Sequence, residues 1–301
     1  MKTSFIINGG LGRVITSIPA LEKYVTRNPE TYVLVYAWAP IIMGNKILTK
    51  HVYDAYSVKG MFDIIKHTRI QQPEPYYNSD YLNGRISLAD AWNQEINADT
   101  EPMPIPRIVL RKDELVNGQQ IRKNYYRKII AFQPFGSTAN ITDKEVADNT
   151  KRSLSINTTR SLVKFLKKQG YGIWLMTDKN IPFLEASDFI NYYTQNVREV
   201  AAALHACDYF LGIDSSGQHL ARSFDIPGTI IMGGTNTKNV TYADHFNIYN
   251  DVPDRAYMPY RLTDHDWWIS ETLNENIMEF DDKRIKDLCN NVLKHLRKTT
   301  K

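Results

Sequence analysis

The octet DSSGQHLA, Asp214–Ala221, has the residue types and spacing of an anion site: an apolar strand stops at an acid, two hydroxyls and a glycine, and a helix opens at once. In open α/β sheets ligands gather beyond the carboxyl ends of the strands. A helix N-terminus placed there offers unpaired backbone N–H groups and the positive end of its dipole. Ser215, Ser216 and Gly217 are therefore expected to donate to a diphosphate, with His219 in the first helical turn joining them when suitably protonated. The same octet is compatible with a plain capped helix, in which Asp214 or Ser215 closes the first turn and His219 is an ordinary surface residue.

Two more strand ends in the same half carry polar loops. PFGSTANITDKEVADNTKRSL, Pro134–Leu154, places the amides and hydroxyls of Gly136, Ser137 and Thr138 after a strand and Lys151 or Arg152 before a helix. Such a set suits a phosphate or a departing diphosphate, although alone it reads as a solvated loop. GGTNTKNV, Gly233–Val240, adds Gly234 and Thr235 at a third end. Three ends aimed at one ligand are harder to dismiss than any one of them.

The elements that position these loops follow from hydrophobic pattern. A strand at Ser4–Asn8 leads through a glycine turn to a helix expected behind a Thr16/Ser17 cap with Pro19 in its first turn. Strands are expected at Thr31–Trp38 and Arg107–Leu110, with a helix at Ser87–Ile96 in an otherwise irregular, tyrosine- and proline-rich stretch. After the polar stretch Lys112–Lys128 the alternation resumes. Strands at Lys128–Phe135, Tyr171–Thr177, Tyr209–Ile213 and Gly228–Gly233 are separated by helices ending at Lys168, with Gly170 as its C-cap, and spanning Glu199–Ala206. A last helix, Asp282–Lys298, shows one apolar face. The fold class is α/β, with two Rossmann-like, doubly wound parallel sheets in domains 1–122 and 123–301. The last helix is free to pack back on the first domain.

Bulk properties narrow the field. With 301 residues and 43% apolar content the chain can bury substantial cores. A formal charge of +4, from 37 basic and 33 acidic residues dispersed along the chain, tolerates anionic ligands without indicating nucleic acid. The two cysteines, Cys207 and Cys289, lie far apart in helical apolar patterns, which fits buried thiols and a reducing cytoplasm. Neither a secretory leader nor a run of about 18 apolar residues is present, so a soluble protein is expected. INGGLGRVITSIPAL, Ile7–Leu21, looks at first like a dinucleotide fingerprint. Its third glycine would fall at Ile15, however, and Trp38–Pro40 stand where the ribose-binding acid is required, which disfavours a dehydrogenase.

The run REVAAALHACDYFLGIDSSGQHLARSFDIPGTIIMGGT resembles the C-terminal signature of glycosyltransferase family 9, the heptosyltransferase family, and NGGLGRVITSIPAL is similar to its N-terminal signature. The loop ending KRSL resembles the family's basic loop, with Ser153 and Leu154 in place of the usual Trp-Pro. The resemblance implies the GT-B fold, two Rossmann-like domains facing across a cleft. It also implies inverting transfer from a nucleotide-diphosphate sugar, with neither metal nor other cofactor. By position, Asp214, Ser215, Ser216, Gly217 and His219 match the donor-diphosphate motif, and Lys151 or Arg152 the phosphate-binding basic residue. Asp178 and Glu185 fall near the nucleoside contacts, while Gly9, Gly10, Gly12 and Arg13 lie on the acceptor side.

The chain departs from the family at Arg13, which stands where an aspartate usually serves as the candidate base. A guanidinium cannot take a proton. His51, Asp54, Asp63, His67 and Asp80 are the carboxylates and histidines of the irregular region left as candidates. A saccharide acceptor is the family default. Arg13, the basic excess and exposed aromatics also admit an anionic polymer such as modified DNA. A nucleotide-sugar-binding protein without turnover and a GT-B epimerase are the alternatives. Asp264-His265-Asp266 reads as a late loop rather than a metal site, and the aromatics Tyr257, Tyr260, Trp267 and Trp268 as loop packing.

Overall fold

The computed structural model describes residues 2–57, 61–122, 128–148, 150–190, 192–233, 235, 239–250 and 278–299. The chain divides into two compact units, one of residues 2–112 and one of the described residues from Asp113 on.

The first unit runs β1 (Thr3–Ile7), α1 (Leu11–Arg27), β2 (Thr31–Val35), β3 (Val52–Asp54), α2 (Met61–Ile65), β4 (Arg69–Gln71), α3 (Ser79–Leu82) and α4 (Leu88–Asn97). Its four strands are parallel and ordered β3-β2-β1-β4, so the order reverses between β1 and β4. Phe5, Ile7, Val33 and Val35 of the strands and Ile15, Ile18 and Leu21 of α1 are all buried. Helix α1 starts at Leu11 behind Gly10, earlier than the pattern predicts. Thr16 and Ser17 are consequently mid-helix, with their hydroxyls turned back onto the carbonyls of Gly12, Arg13 and Val14, and Pro19 interrupts the ladder from within. Helix α4 begins where expected because Ser87 and Asp90 form a capping box.

The strand expected at Arg107–Leu110 does not form. Pro102, Pro104 and Pro106 deny ladder donors at every second position of the approach. Conversely, β3 and β4 are three-residue strands whose short runs carry little periodic signal. They pair at the two edges of the sheet.

The second unit contains α5 (Lys112–Gly118, joined at its first residue), β5 (Ile129–Gln133), β6 (Asn140–Ile141), β7 (Val146–Ala147), α6 (Ile156–Lys168), β8 (Gly172–Leu175), α7 (Val197–His205), β9 (Tyr209–Ile213), α8 (Ser216–Ser223), β10 (Gly228–Met232), β11 (Asn247–Asn250) and α9 (Asp282–Thr299). The parallel sheet is ordered β11-β10-β9-β5-β8 and reverses between β5 and β9, while β6 and β7 form a small antiparallel pair in the loop after β5. The inner strands are wholly buried, which explains their unbroken apolar runs. Helix α9 lays Leu288, Val292 and Leu296 into this same core, against α6, β10 and β11.

Residues 113–122 go with this unit for a chemical reason. Arg198 of α7 donates to Glu114 at 2.9 Å in a bidentate pair with both side chains buried, and Arg122 reaches Asp208 at 2.6 Å and the Ala206 carbonyl. Among the described residues no helix is long and apolar enough to cross a membrane.

Candidate functional site

The strand-order reversal of the second sheet opens a crevice between the carboxyl ends of β5 and β9, the place where ligands bind in such sheets. Two bonds cross it. The Gln133 side-chain oxygen, at the end of β5, accepts the Gly217 N–H at 2.9 Å, and Arg152 donates through Nη1 to the Asp214 carbonyl at 3.0 Å. The first turn of α8 is thereby tied to the loop that follows β5.

That loop is built around Asp148. Its carboxylate accepts from the Ser153 and Thr150 hydroxyls, from both their backbone N–H groups, and from the Thr138 hydroxyl. Burial pushes the carboxyl upward, but the bonds from Ser153 and Thr150 and the charge of Arg152 outweigh it and hold the group below the usual carboxylate range. Ser153 in turn accepts the Gly136 N–H at 2.9 Å. Lys151 sits in the left-handed region at φ +52, uncommon for a side chain of its kind. Its carbonyl passes so close to Gly233 that a Cβ there would fall 2.1 Å away, so this loop also covers the end of β10.

These bonds tie Arg152 to Asp214, Gly217 to the end of β5, and Gly136 to the loop that carries Lys151 and Arg152. Gly136 is buried, whereas Ser137 and Thr138 are exposed. Arg152 is buried and engaged with Thr150 and Asp214; Lys151 is half-buried beside it. In α8 the Gly217 N–H is taken by Gln133 and the Gln218 N–H by the Ser215 carbonyl. Among the described residues the Ser216 N–H has no acceptor, as the first turn of a helix requires. Of Ser215, Ser216 and Gly217, the Gly217 N–H is thus already engaged within the fold. Three buried oxygens on the segments after β9 and β10 also lack a hydrogen-bond partner among the described residues: Asp214 Oδ2, Gln218 Oε1 and Thr235 Oγ1. Buried polar atoms are almost always satisfied, so these oxygens call for an ordered water or a hydrogen-bonding ligand.

His219 is buried rather than on the surface, and its Nδ1 lies 2.9 Å from the Tyr242 hydroxyl. Burial pushes the Tyr242 phenol far up, so it is a neutral O–H. A neutral phenol can donate to Nδ1 or accept from it, and in either tautomer the contact fixes the ring in place. Asp178 and Glu185 are exposed beyond β8, and Glu185 closes a one-turn helix with Asp188. Gly234, Asp264-His265-Asp266 and the aromatics from Tyr257 to Trp268 lie outside the described residues. Among the described residues no group of three His, Cys, Asp or Glu side chains is arranged to hold a metal ion.

In the first unit the glycine turn ends β1 at the other reversal. Gly9 has φ +89, and a Cβ on it would meet Arg13 Cδ at 2.8 Å. Gly10 caps α1, and Gly12 lies within it. Arg13 is buried: its Nη2 pairs with Glu74 at 2.9 Å and donates to the Pro73 carbonyl, while the guanidinium lies over the rings of Tyr76 and Trp92. The charge expected to greet an anionic acceptor is matched inside its own unit.

The five candidate bases are scattered. His51 precedes β3 and bonds the Thr31 carbonyl, and exposed His67 precedes β4, so both stand at the amino edge of the sheet, opposite the glycine turn. Asp63 pairs with Lys66, and Asp80 with Arg85. Asp54 ends β3 at the carboxyl edge but caps the Tyr56 N–H, two strands away from β1. Sequence reading passed over Glu74, Gln133, Asp148 and Tyr242. The signals available were a charge locked between Pro73 and Pro75, and a single polar residue closing the apolar strand IIAFQ.

No protein-family model and no curated protein matches the chain by sequence. Solved structures do match. A glycosyltransferase family 9 protein from Veillonella parvula is 12% identical over 84% of this chain and 87% of its own, with a TM-score of 0.53. The dodecameric iron-containing heptosyltransferase TibC of enterotoxigenic E. coli, in complex with ADP-D-β-D-heptose, is 11% identical over 99% and 78%, with a TM-score of 0.60. The E. coli ADP-heptose lipopolysaccharide heptosyltransferase II is 12% identical over 98% and 99%, with a TM-score of 0.52. At these identities the likeness is one of fold: two parallel α/β units in one chain, the heptosyltransferase-like architecture of glycosyltransferase family 9.

Proposed function

We propose that the protein is a glycosyltransferase that moves a sugar from a nucleotide-diphosphate donor to an acceptor hydroxyl, with inversion. The observation that carries this reading is the crevice between β5 and β9. There the Ser216 N–H at a helix start and the unpartnered Asp214 Oδ2 lie beside a loop carrying Lys151 and Arg152, and Thr235 Oγ1 is unpartnered beyond the end of β10. Donor and acceptor atoms of both kinds suit a ligand that combines phosphate with hydroxyls. The helix start, Lys151 and His219 favour the diphosphate. The Asp214 carboxylate can only accept, and so addresses a ribose or sugar hydroxyl.

In the transfer, the acceptor oxygen attacks the anomeric carbon as the bond to the diphosphate oxygen breaks. Negative charge then grows on the leaving group. Groups preorganised around the diphosphate stabilise that charge more in the transition state than in the ground state. The chemistry assigned to these residues needs no metal.

The reading is tested by incubating the protein with ADP-, GDP- and UDP-sugars and following release of nucleoside diphosphate with and without saccharide acceptors. ADP-heptose, the ligand of TibC, is the first donor to try. Acceptor-dependent release is expected from one nucleotide class. Binding of the sugar nucleotide without release would leave a binding protein, and failure of every nucleotide to bind would overturn the proposal.

A further inference from the structure

We infer that the outward faces of α6 and α9 form a docking surface for duplex nucleic acid, held through its phosphate backbone without regard to base sequence. Basic residues are dispersed along the chain, but the packing of the second unit gathers them. Helices α6 and α9 together carry ten basic and two acidic residues, a net +8 where the whole chain has +4, so all other residues sum to −4. The two helices start side by side, where the Phe280 N–H beside α9 donates to the Thr158 hydroxyl of α6 at 3.1 Å, and both lay their apolar faces into one core. Their charged faces point away from it.

On α9, Lys283, Lys286, Lys294 and Arg297 follow at steps of three, eight and three residues, which keeps them in one stripe opposite Leu288, Val292 and Leu296. On α6, Lys164 and Lys168 lie opposite Leu162 and Leu166. All six cations are exposed, and none forms an ion pair among the described residues, whereas Lys167 is taken by Asp188 at 3.0 Å. The helix dipole favours cations in a last turn only. Lys283 and Lys286 stand in the first two turns of α9, where the dipole opposes them.

Packed helices lie about 8–10 Å apart, so the stripes form two rows at a separation between the widths of the B-DNA grooves, about 6 and 12 Å. Flexible lysine stems on each row can meet one phosphate strand. Five of the six cations are lysines, point charges suited to phosphates rather than to bidentate base reading. Among the described residues no large apolar side chain is exposed on either helix, so the face offers single-stranded bases no stacking platform. A bilayer is disfavoured on the same ground, because stable anchoring takes a second signal beside charge and both apolar faces are spent on the core. The surface belongs wholly to the second unit and shares no residue with the crevice between β5 and β9.

The test follows a short fluorescently labelled duplex of random sequence binding to the full-length protein by anisotropy, between about 50 and 200 mM salt. With about four phosphates neutralised, affinity should fall about 100-fold or more over that range. Lys286→Gln combined with Lys294→Gln should melt near the parent and flatten the slope of log K against log salt by about 1.8, roughly 0.9 for each lost contact. Lys164→Gln with Lys283→Gln, one change on each helix, should do the same. Removing equal charge from exposed positions of the first unit, Lys46→Gln with Lys50→Gln, should leave the slope unchanged. An equal change in that control pair would overturn the assignment, as would a parent protein that binds no duplex near the lower salt concentration or binds phosphatidylserine vesicles in its place. The transferase reading stands or falls separately, on nucleoside diphosphate release.

Discussion

The Gln133 side-chain oxygen accepts the Gly217 backbone N–H at 2.9 Å, and this one bond spans the reversal in strand order and sets where α8 begins. It is possible only because position 217 has no side chain. A Cβ there would lie 2.4 Å from Gln133 Oε1 and 2.7 Å from the ring of Phe210.

Gly217→Ala is therefore expected to cost about 1–3 kcal/mol of stability, the usual penalty for forcing atoms into a packed site. Sugar-nucleotide affinity should fall with it, because the first turn of α8 must shift. Denaturant titration and calorimetry on the same preparations check this; a variant as stable as the parent would show that the crevice relaxes freely.

The pair His219–Tyr242 predicts a graded effect on the donor. Tyr242→Phe removes the hydroxyl that orients the imidazole and should raise the donor KM by about 3- to 10-fold, the worth of one ordinary hydrogen bond. His219→Ala should raise it at least as far. If kinetics are unchanged in both, the histidine serves packing alone.

Asp148 makes stability depend on acid. Its carboxyl is held below the usual range in the folded protein, so its contribution is fully present above the unfolded value of about 3.9 and is lost as pH falls through the folded value. Asp148→Asn should be less stable than the parent at pH 7, and the gap should narrow as both are titrated below about pH 4. A gap of constant size from pH 7 to 3 would contradict the assigned charge interaction.

The buried pair Arg198–Glu114 ties α5 to α7. Glu114→Ala removes one member of a buried ion pair and is expected to cost about 3–5 kcal/mol, read from urea unfolding. By the same logic a fragment beginning at residue 123 should melt below one beginning at 112. Equal melting of the two would mean that residues 112–122 contribute nothing to the second unit.

Cys207 and Cys289 are free, buried thiols, and burial pushes the Cys289 thiol up to about 12. Both should resist alkylation at neutral pH until the protein is unfolded, because the thiolate is the reactive form. Rapid labelling of the folded protein, followed by mass spectrometry, would refute this.

Much was legible in one dimension. The strand YFLGI was read to the residue, the last helix and the helix after Ser87 to within a residue or two, and the α/β class from the alternation, because these signals are local: periodicity, caps and buried runs of five. The short edge strands β3 and β4 escaped because three residues carry no period, and the false strand at Arg107–Leu110 failed on the prolines before it. The polar loops after β5, β9 and β10 were visible as candidates, since a polar residue closing an apolar strand is a local anomaly.

What the tertiary structure alone decided is which of those residues meet. Gln133 and Gly217, Asp148 and Ser153, His219 and Tyr242 are partners through a sheet whose order departs from chain order. Arg13 shows this most plainly: by its type it was an acceptor-side cation without a base, and some sixty residues of chain had to fold before Pro73 and Glu74 lay within its reach. Residue type and spacing determine which chemistry the chain can carry. Burial and strand order determine where that chemistry is placed, because an ion pair depends on distance in space rather than along the sequence.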